Sequence, residues 1–280
     1  MDETRARVAT WWTILRICLE ERLVYRADFA LGTLMRFLPI VTQIFLWFAV
    51  FQSVGDRPIA SYDYRQFVAY YLLTMVSRAF SSMPGLASGI ARQIRDGEIK
   101  KFLIQPVDLI GFLLLSRVAH KLAYYSVSIG PFALVFALCH SYFAELPEGA
   151  ATMSWETAGA FGLSLVLSFL LGFFLEASLG LVGFWFLEVS SLLFVYMLLN
   201  FFLSGHMFPL DMLPYPWRSL VSMSPLQYLA YFPAAVFLGK IPPSELPQAL
   251  AVQAGWVLFF VALTRVLWQR GLKRYSAYGG

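Results

Sequence analysis

The sequence predicts an all-α integral membrane protein with six transmembrane helices, and three observations support this fold class. First, 59% of the 280 residues are hydrophobic and only 14% are charged, whereas about a quarter of the residues in soluble domains are charged. Second, several stretches supply the roughly 20 mostly apolar residues that a helix needs to cross a bilayer core. Third, basic residues cluster at the ends of those stretches. The alternative, a large soluble protein with buried core helices, is disfavoured by this composition.

The first segment, residues 1–29, is predicted to be an amphipathic interfacial helix. Its apolar residues recur at spacings of three and four, the period of one helix face. They are Val8, Trp11, Trp12, Leu15, Cys18, Leu19 and Leu23. Such a helix lies in the membrane surface with its tryptophans toward lipid and its arginines toward headgroups. A helix packed on protein, with its other side in water, is the alternative.

The remaining sequence is predicted to complete a single transmembrane domain over residues 1–280, because the apolar stretches leave little chain for a separate soluble domain. The six predicted spans are 30–54, 66–88, 112–140, 157–178, 183–205 and 248–268. An acidic loop with Glu145, Glu148 and Glu156 follows the third span.

The distribution of lysine and arginine predicts the orientation of these spans. With both termini and the loop 89–107 on one side, that side carries twelve basic residues and the other side four. The twelve are Arg5, Arg7, Arg16, Arg22, Arg26, Arg92, Arg95, Lys100, Lys101, Arg270, Lys273 and Arg274, and the four are Arg57, Arg65, Arg218 and Lys240. The positive-inside rule then places both termini in the cytoplasm. Positive charge at span ends also argues against nucleic acid as a partner.

The loop 89–107 is predicted to hold a short amphipathic helix that is broken at Gly97 and stopped before Pro106. Apolar and charged residues alternate along it, a composition that suits docking into a groove on a partner protein. The candidate docking residues are Ile94, Arg95, Asp96, Gly97, Glu98, Ile99 and Lys100. An ordinary interfacial helix lying against headgroups is the alternative.

The segment 206–247 is predicted to form short re-entrant helices on the extracytoplasmic side. Its prolines forbid one continuous helix, yet it is too apolar for a free loop. Non-helical backbone at membrane depth persists only when it is buried in protein or lines a cavity. An aromatic loop lying flat at the interface is the alternative.

Ionisable residues inside spans are costly unless they are paired, and they are functional candidates by default. Arg78 in the second predicted span and Glu188 in the fifth are placed at a similar depth from the same side. They are therefore candidates for an ion pair, and a purely structural clamp between helices is the alternative to a functional role. Asn200 is a further polar candidate, and polar side chains of this kind often join helices.

Several stretches, in this order and spacing, resemble the permease subunits of ABC transporters of the type-2 exporter superfamily. They are Ile94-Arg-Asp-Gly-Glu-Ile99 with Leu103-Ile-Gln-Pro106, Phe184-Trp185, Ser204 to Trp217 with Ser224 to Tyr228, and Gly271 to Tyr275. The resemblance covers essentially the whole chain. It implies a coupling loop at 89–107 that docks a cytoplasmic ABC ATPase through residues 94–100.

The resemblance also implies roles for the other candidates. Arg78, Glu188 and Asn200 would line the translocation path. His206, Phe208, Pro209 and Trp217 would belong to an extracytoplasmic lid. The permease would work in a bacterial inner membrane as a dimer, of two copies or with a related permease, with two ATPase subunits. Its cargo would be amphipathic: a drug, lipid, glycolipid or peptide moved out of the cytoplasm.

No catalytic role is expected for this chain. It carries no GxxxxGK[ST] phosphate loop, HExxH or GxSxG motif, so we expect no cofactor on it, with ATP and magnesium on the partner ATPase. No metal ligand set is predicted either. An ion-coupled secondary transporter, which would carry internal repeats and midplane ionisable groups, or a membrane scaffold without transport activity, is the alternative.

Overall fold

The computed structural model is built almost entirely from helices. It describes residues 2–24, 26–55, 57–59, 62–105, 107–144, 155–186 and 188–275. The helices are α1 (Asp2–Val24), α2 (Arg26–Ser53), α3 (Tyr64–Ser81), α4 (Leu86–Arg95), α5 (Lys100–Ile104), α6 (Leu109–Leu138), α7 (His140–Ala144), α8 (Trp155–Leu181), α9 (Ser190–Leu203), α10 (Trp217–Ser222), α11 (Tyr231–Phe237) and α12 (Leu246–Arg274). Short 3-10 turns occur at Val182–Phe184, Leu210–Met212 and Pro225–Leu229.

Four helices of the described chain are long and apolar enough to cross a membrane, which confirms the all-helical membrane class. They are Leu31–Ser53 within α2, α6, Trp155–Phe184 (α8 with its following turn) and α12. A fifth apolar helix, α9, is shorter. These elements correspond to predicted spans one, three, four, six and five, with ends that differ by a few residues. The predicted acidic loop lies mostly outside the described residues; Glu156 falls in the first turn of α8.

Predicted span two is too long. Helix α3 ends at Ser81, and the chain turns at Gly85 (φ 71°) before α4 begins at Leu86. The pattern looked continuous because α4 opens with small and apolar residues. Residues 67–73 in α3 are buried within protein, so this helix does not need the uniformly apolar surface that a lipid-facing span requires.

The chain divides into two compact units, one of which comprises residues 1–43 and 99–140. Here α1 packs along α6: the Trp11 ring lies against Gly111, where an added Cβ would approach it to 3.0 Å. The Thr33 and Ser128 hydroxyls hydrogen-bond at 2.7 Å. Hydrogen bonds of this kind between helices are typical of membrane proteins. Trp12 stays 67% exposed on the other side of α1. One side of α1 is therefore held by protein.

The second unit comprises residues 44–98 and 141–280, and α8 is its central helix. It packs against α3, α4, α11 and α12. One core cluster is aromatic and includes Phe51, Tyr62, Phe67, Tyr70 and Tyr71. The other joins α8 to α12 and to the segment 225–236. Gln253 of α12 reaches into it and donates to the Ser164 carbonyl at 3.0 Å.

Candidate functional site

Helix α4, the first part of the predicted docking loop, packs on α8 through small residues. A Cβ added to Gly180 would approach the Ala87 carbonyl oxygen to 2.7 Å, and one added to Gly183 would approach the Ala91 Cα to 3.1 Å. At Gly172, a Cβ would meet the Ser81 carbonyl at the end of α3. We call these three glycines and their partners the small-residue seam. Because backbones touch here, α4 cannot move far without α8.

The break in the docking loop is confirmed, since α4 ends at Arg95 and Gly97 adopts a positive φ of 75°. That left-handed conformation favours glycine. Asp96, Glu98 and Lys100 are exposed around it.

Two of the isoleucines predicted to dock a partner are covered by the chain itself, whereas Leu103 and Ile104 further along the loop are exposed. Ile94 is 6% exposed and Ile99 is fully buried, as is Ile90 one turn before Ile94. An amphipathic pattern shows that one side of a helix is covered, but it does not tell whether the cover is a partner or the same chain. Here the chain itself buries these isoleucines, and the exposed residues of the loop are mainly charged.

Glu188 does not lie inside a membrane helix, so its predicted placement in span five is wrong. Helix α9 begins only at Ser190, and the Glu188 carboxylate accepts from the Ser190 backbone N–H at 2.9 Å. Its side chain is 65% exposed, and its Oε2 lies 3.8 Å from Nη1 of Arg95. Hydrogen bonds from the Ser190 hydroxyl and amide, followed by the charge of Arg95, lower the pKa of Glu188.

These groups line a cleft of about 420 Å³ between α4 and the start of α9. Its walls are Gly85, Ser88, Gly89, Ala91, Arg92 and Arg95 from one side and Glu188, Val189, Ser190 and Leu193 from the other. The predicted pairing partner of Glu188 was Arg78; the basic residue that faces it in this cleft is Arg95.

Arg78 lies near a different set of polar groups, which we call the polar cluster: Arg78, Glu176, Tyr196 and His206. The Tyr196 hydroxyl donates to the Glu176 carboxylate, and the Arg78 charge acts on both Tyr196 and His206. Asn200 follows Tyr196 by one turn of α9, and its buried Oδ1 has no hydrogen-bond partner among the described residues. The cluster joins α3, α8, α9 and the start of the next segment.

The segment 204–245 that follows α9 is fastened to α3 by tyrosines. Tyr70 donates to the Gly205 carbonyl, and Tyr71 donates to the Met207 carbonyl at 2.6 Å. The Tyr71 oxygen also accepts from the Trp47 indole at 2.8 Å. The beginning of this segment is therefore held by side chains of α3, and Trp47 of α2 in turn holds Tyr71.

Asp211 is the centre of the same attachment. Its carboxylate accepts from the Tyr62 hydroxyl at 2.8 Å and from the Arg218 guanidinium at 3.0 Å, and Tyr231 also hydrogen-bonds to it. Burial, with the nearby Tyr231 and Asp211, raises the pKa of Tyr62, so its phenol stays protonated and donates. We call Tyr62, Asp211, Arg218 and Tyr231 the Asp211 network.

Lys240 closes the other end of this segment. Its ammonium group lies 4.0 Å from the Tyr62 ring centroid and donates to the Gln66 side chain at 3.0 Å. Burial lowers the pKa of Lys240, against the opposing effect of Asp211 and Asp63. The sequence reading missed Asp211, Tyr62 and Tyr231. The sequence feature that could have pointed to these residues is Asp211 itself, a lone aspartate in an otherwise apolar, proline-rich segment.

Some of the predicted lid residues are buried in the protein, and one is exposed. His206 is partly buried beside Phe201, with ring centroids 5.5 Å apart, and Pro209 is buried at the start of a 3-10 turn. The Phe208 carbonyl accepts a long hydrogen bond of 3.4 Å from Tyr70. Trp217 instead opens α10 and is 59% exposed.

Two stretches that carried the family resemblance meet in space. The Phe184 ring packs directly on Gly271, where a Cβ would lie 2.2 Å from it. Trp185, Trp268 and Tyr275 surround the same ring, with centroids 5.8 to 6.1 Å away. This contact fixes the C-terminal end of α12 beside the turn that follows α8.

Within the described part of the chain, no group of histidine, cysteine, aspartate or glutamate side chains has a metal-binding arrangement. In comparisons with known proteins, a family model described as ABC-2 family transporter protein matches residues 37–279. No curated protein matches the sequence.

Proposed function

Because the chain belongs to the ABC-2 family of transporter proteins, we propose that it is the permease subunit of an ATP-driven exporter. It is a multi-pass membrane component of a transporter. We propose that it moves an amphipathic substrate out of the cytoplasm, across a bacterial inner membrane, with both termini inside. ATP and magnesium bind to a separate ATPase chain in this proposal.

The proposed topology has six spans, with α3 and α9 added to the four long apolar helices. Helix α3 has 18 residues and is enclosed by protein, so it crosses without a lipid-facing apolar surface. Helix α9 has 14 residues and would span about 21 Å at 1.5 Å per residue. A bilayer core is about 30 Å thick, so α9 alone is too short to cross it. Short re-entrant helices in the segment 204–245 span the remaining depth in this proposal.

The coupling function is carried by one observation: α4 is fixed to α8 by the small-residue seam, while charged residues after it face outward. We propose that Asp96 and Glu98 contact the ATPase and that the seam transmits the resulting displacement to α8. Charged, exposed contacts suit an interface that forms and changes during each ATP cycle.

The polar cluster is the proposed translocation path, with Glu176 in the role that the family resemblance implied for Glu188. Ionisable side chains inside spans are costly unless they are paired, and they often mark a transport path. The unpaired Asn200 oxygen offers a further polar group to a cargo. The Asp211 network and the tyrosines of α3 hold the proposed lid closed above this path.

The proposed assembly is a dimer of this chain, or this chain beside a related permease, with two ATPase subunits. Helix α9 has no buried residue in the single chain, which supports contact with a second permease or with lipid. A drug, a lipid, a glycolipid or a peptide fits the apolar surroundings of the path.

Co-purification of the ATPase tests this proposal. The intact chain should retain a nucleotide-binding subunit in detergent, and Glu98→Arg should lose it without a change in its own melting temperature. Glu245→Arg, an exposed acidic residue before α12, is the matched control and should retain it. Ile94→Asp is unsuitable because it places a charge at a buried position.

If no nucleotide-binding chain is ever retained by the intact protein, the ATP-driven proposal fails. An ion-coupled transporter or a scaffold would then account better for the fold. Retention by both Glu98→Arg and the control would instead exclude the charged turn as the docking surface.

A further inference from the structure

The cleft between α4 and α9 has a combination of charges that the coupling proposal does not use. Arg92 and Arg95 lie on its α4 side and Glu188 lies on its α9 side. Among the residues that the structure describes, the Arg92 guanidinium has no carboxylate within ion-pair distance. The cleft therefore presents one unpaired guanidinium, one loosely paired guanidinium and one carboxylate.

The Arg95–Glu188 contact leaves room for a ligand. Its 3.8 Å separation exceeds hydrogen-bond distance, and the two side chains are 47% and 65% exposed. Arg95 also contacts Asp96 at 3.3 Å, so its guanidinium is shared between two weak contacts. Exposed pairs of this type contribute little stability, and a ligand group can enter between them.

The cleft continues into an apolar surface. Val189 and Leu193 line it, and α9 beyond them exposes only apolar side chains over its middle turns. Those more than 40% exposed include Phe194, Val195, Met197, Leu198 and Leu199. A molecule with a charged head in the cleft could lay a hydrocarbon chain along this helix and remain inside the bilayer.

From this arrangement, we propose that the cleft binds the phosphate-and-ammonium headgroup of a zwitterionic phospholipid from the cytoplasmic leaflet. Arginine is suited to phosphate because its planar donors match the phosphate oxygens. Arg92 and Arg95 bind the phosphate, and Glu188 binds the ammonium group. This inference rests on the proposed function for its orientation, which places α4 at the cytoplasmic surface, and it names the first binding site of a lipid substrate.

The Glu188 carboxylate determines which class of lipid headgroup the cleft favours. An anionic headgroup without an amine would bring a second negative charge toward Glu188, which disfavours it. A zwitterionic headgroup supplies a partner to each charge of the cleft. The Ser190 hydroxyl already donates to Glu188 and so holds that carboxylate in place at the edge of the cleft.

Binding of short-chain lipids to the purified chain in detergent tests the proposal, with no ATPase required. Short-chain phosphatidylethanolamine should bind about tenfold more tightly than phosphatidylglycerol of the same chain length. Arg92→Gln should weaken both by about tenfold, whereas Glu188→Gln should remove most of the preference between them. Arg270→Gln, an exposed arginine in α12, is the matched control and should change neither.

Equal affinities for the two lipids, or an undiminished preference in Glu188→Gln, would overturn the proposal. Binding of free phosphoethanolamine as tightly as the lipid would assign the cleft to a soluble ligand and also exclude a lipid site. Displacement of the lipid by the ATPase subunit would show that the cleft is a protein-docking surface instead. If the chain binds lipid selectively but retains no ATPase, the exporter proposal fails and the lipid site stands. Failure of the lipid site and failure of the exporter proposal are therefore distinguishable.

Discussion

Two regions of the larger unit are held together by opposite chemistry. The small-residue seam joins α4 and the end of α3 to α8 through glycines and alanines whose backbones touch. The beginning of the segment 204–245, residues 205–211, is joined to Tyr62, Tyr70 and Tyr71 by hydrogen bonds that the tyrosine hydroxyls donate. The first attachment has almost no polar groups; the second depends on them.

The difference suits two mechanical roles. Close-packed backbones have no alternative arrangement at low cost, since interiors are packed as densely as organic crystals. The seam is therefore a rigid connection. Hydrogen bonds can exchange with water or with a cargo at a small net cost each, so the Asp211 network can open. Rigid coupling at one end and a separable contact at the other fit the proposed exporter function.

The largest expected effect is a steric change in the seam. Gly172→Ala forces a Cβ against the Ser81 carbonyl, and Gly180→Ala forces one to 2.7 Å from the Ala87 carbonyl. Overpacking at such sites costs about 3 kcal/mol, which should appear as a large loss of melting temperature in detergent. Gly162→Ala lies in the same helix with nothing within 4 Å of its Cβ and should be neutral. Equal stability of all three variants would show that the seam is loosely packed.

A smaller effect is expected at the centre of the polar attachment. Asp211→Asn removes the charge that accepts from Tyr62 and Arg218 and should cost about 1.5 kcal/mol. Limited proteolysis of the segment 204–222 should become faster, because its contact with Tyr62 weakens. Glu245→Gln, on an exposed residue, is the control. Equally fast cleavage of the control would show that the attachment of this segment does not depend on Asp211.

Tyr62→Phe should be milder still, at about 1 kcal/mol, because the ring keeps its packing and its contact with Lys240. A double-mutant cycle with Asp211→Asn separates the hydrogen bond from the packing. The two changes should be less than additive, since Asp211→Asn weakens the bond that Tyr62→Phe removes. Strict additivity of the two stability losses would mean that the hydroxyl and the carboxylate do not interact.

The smallest effect concerns pH. The folded chain lowers the pKa of Glu188 below its ordinary value of 4.5. The resulting stabilisation is therefore present above pH 4.5 and is lost as the pH falls through the lower, folded-state value. The melting temperatures of the wild type and Glu188→Gln should converge on acidification. A gap between them that widens at low pH would contradict this sign.

The sequence was sufficient for the features that depend on local pattern. Apolar length predicted six spans, which include the four helices that are long and apolar enough to cross a membrane, and the glycine predicted the break at Gly97. It was insufficient where the partner of a side chain decides its role. Ile94 and Ile99 follow the period of a docking helix, yet their cover comes from the same chain.

Two further errors have the same origin. The apolar residues around Glu188 predict a continuous helix, whereas α9 starts only at Ser190. Asp211 bonds with Tyr62, which is 149 residues away in the chain, and no local pattern reports a contact at that separation.

Hydrogen–deuterium exchange on the permease–ATPase complex, with and without ATP, tests the central contrast most directly. The account predicts that nucleotide increases exchange in residues 204–222 and leaves α4 and residues 172–184 protected to the same degree. Increased exchange in α4 or in residues 172–184, with 204–222 unchanged, would contradict it, because the seam would then be the part that opens.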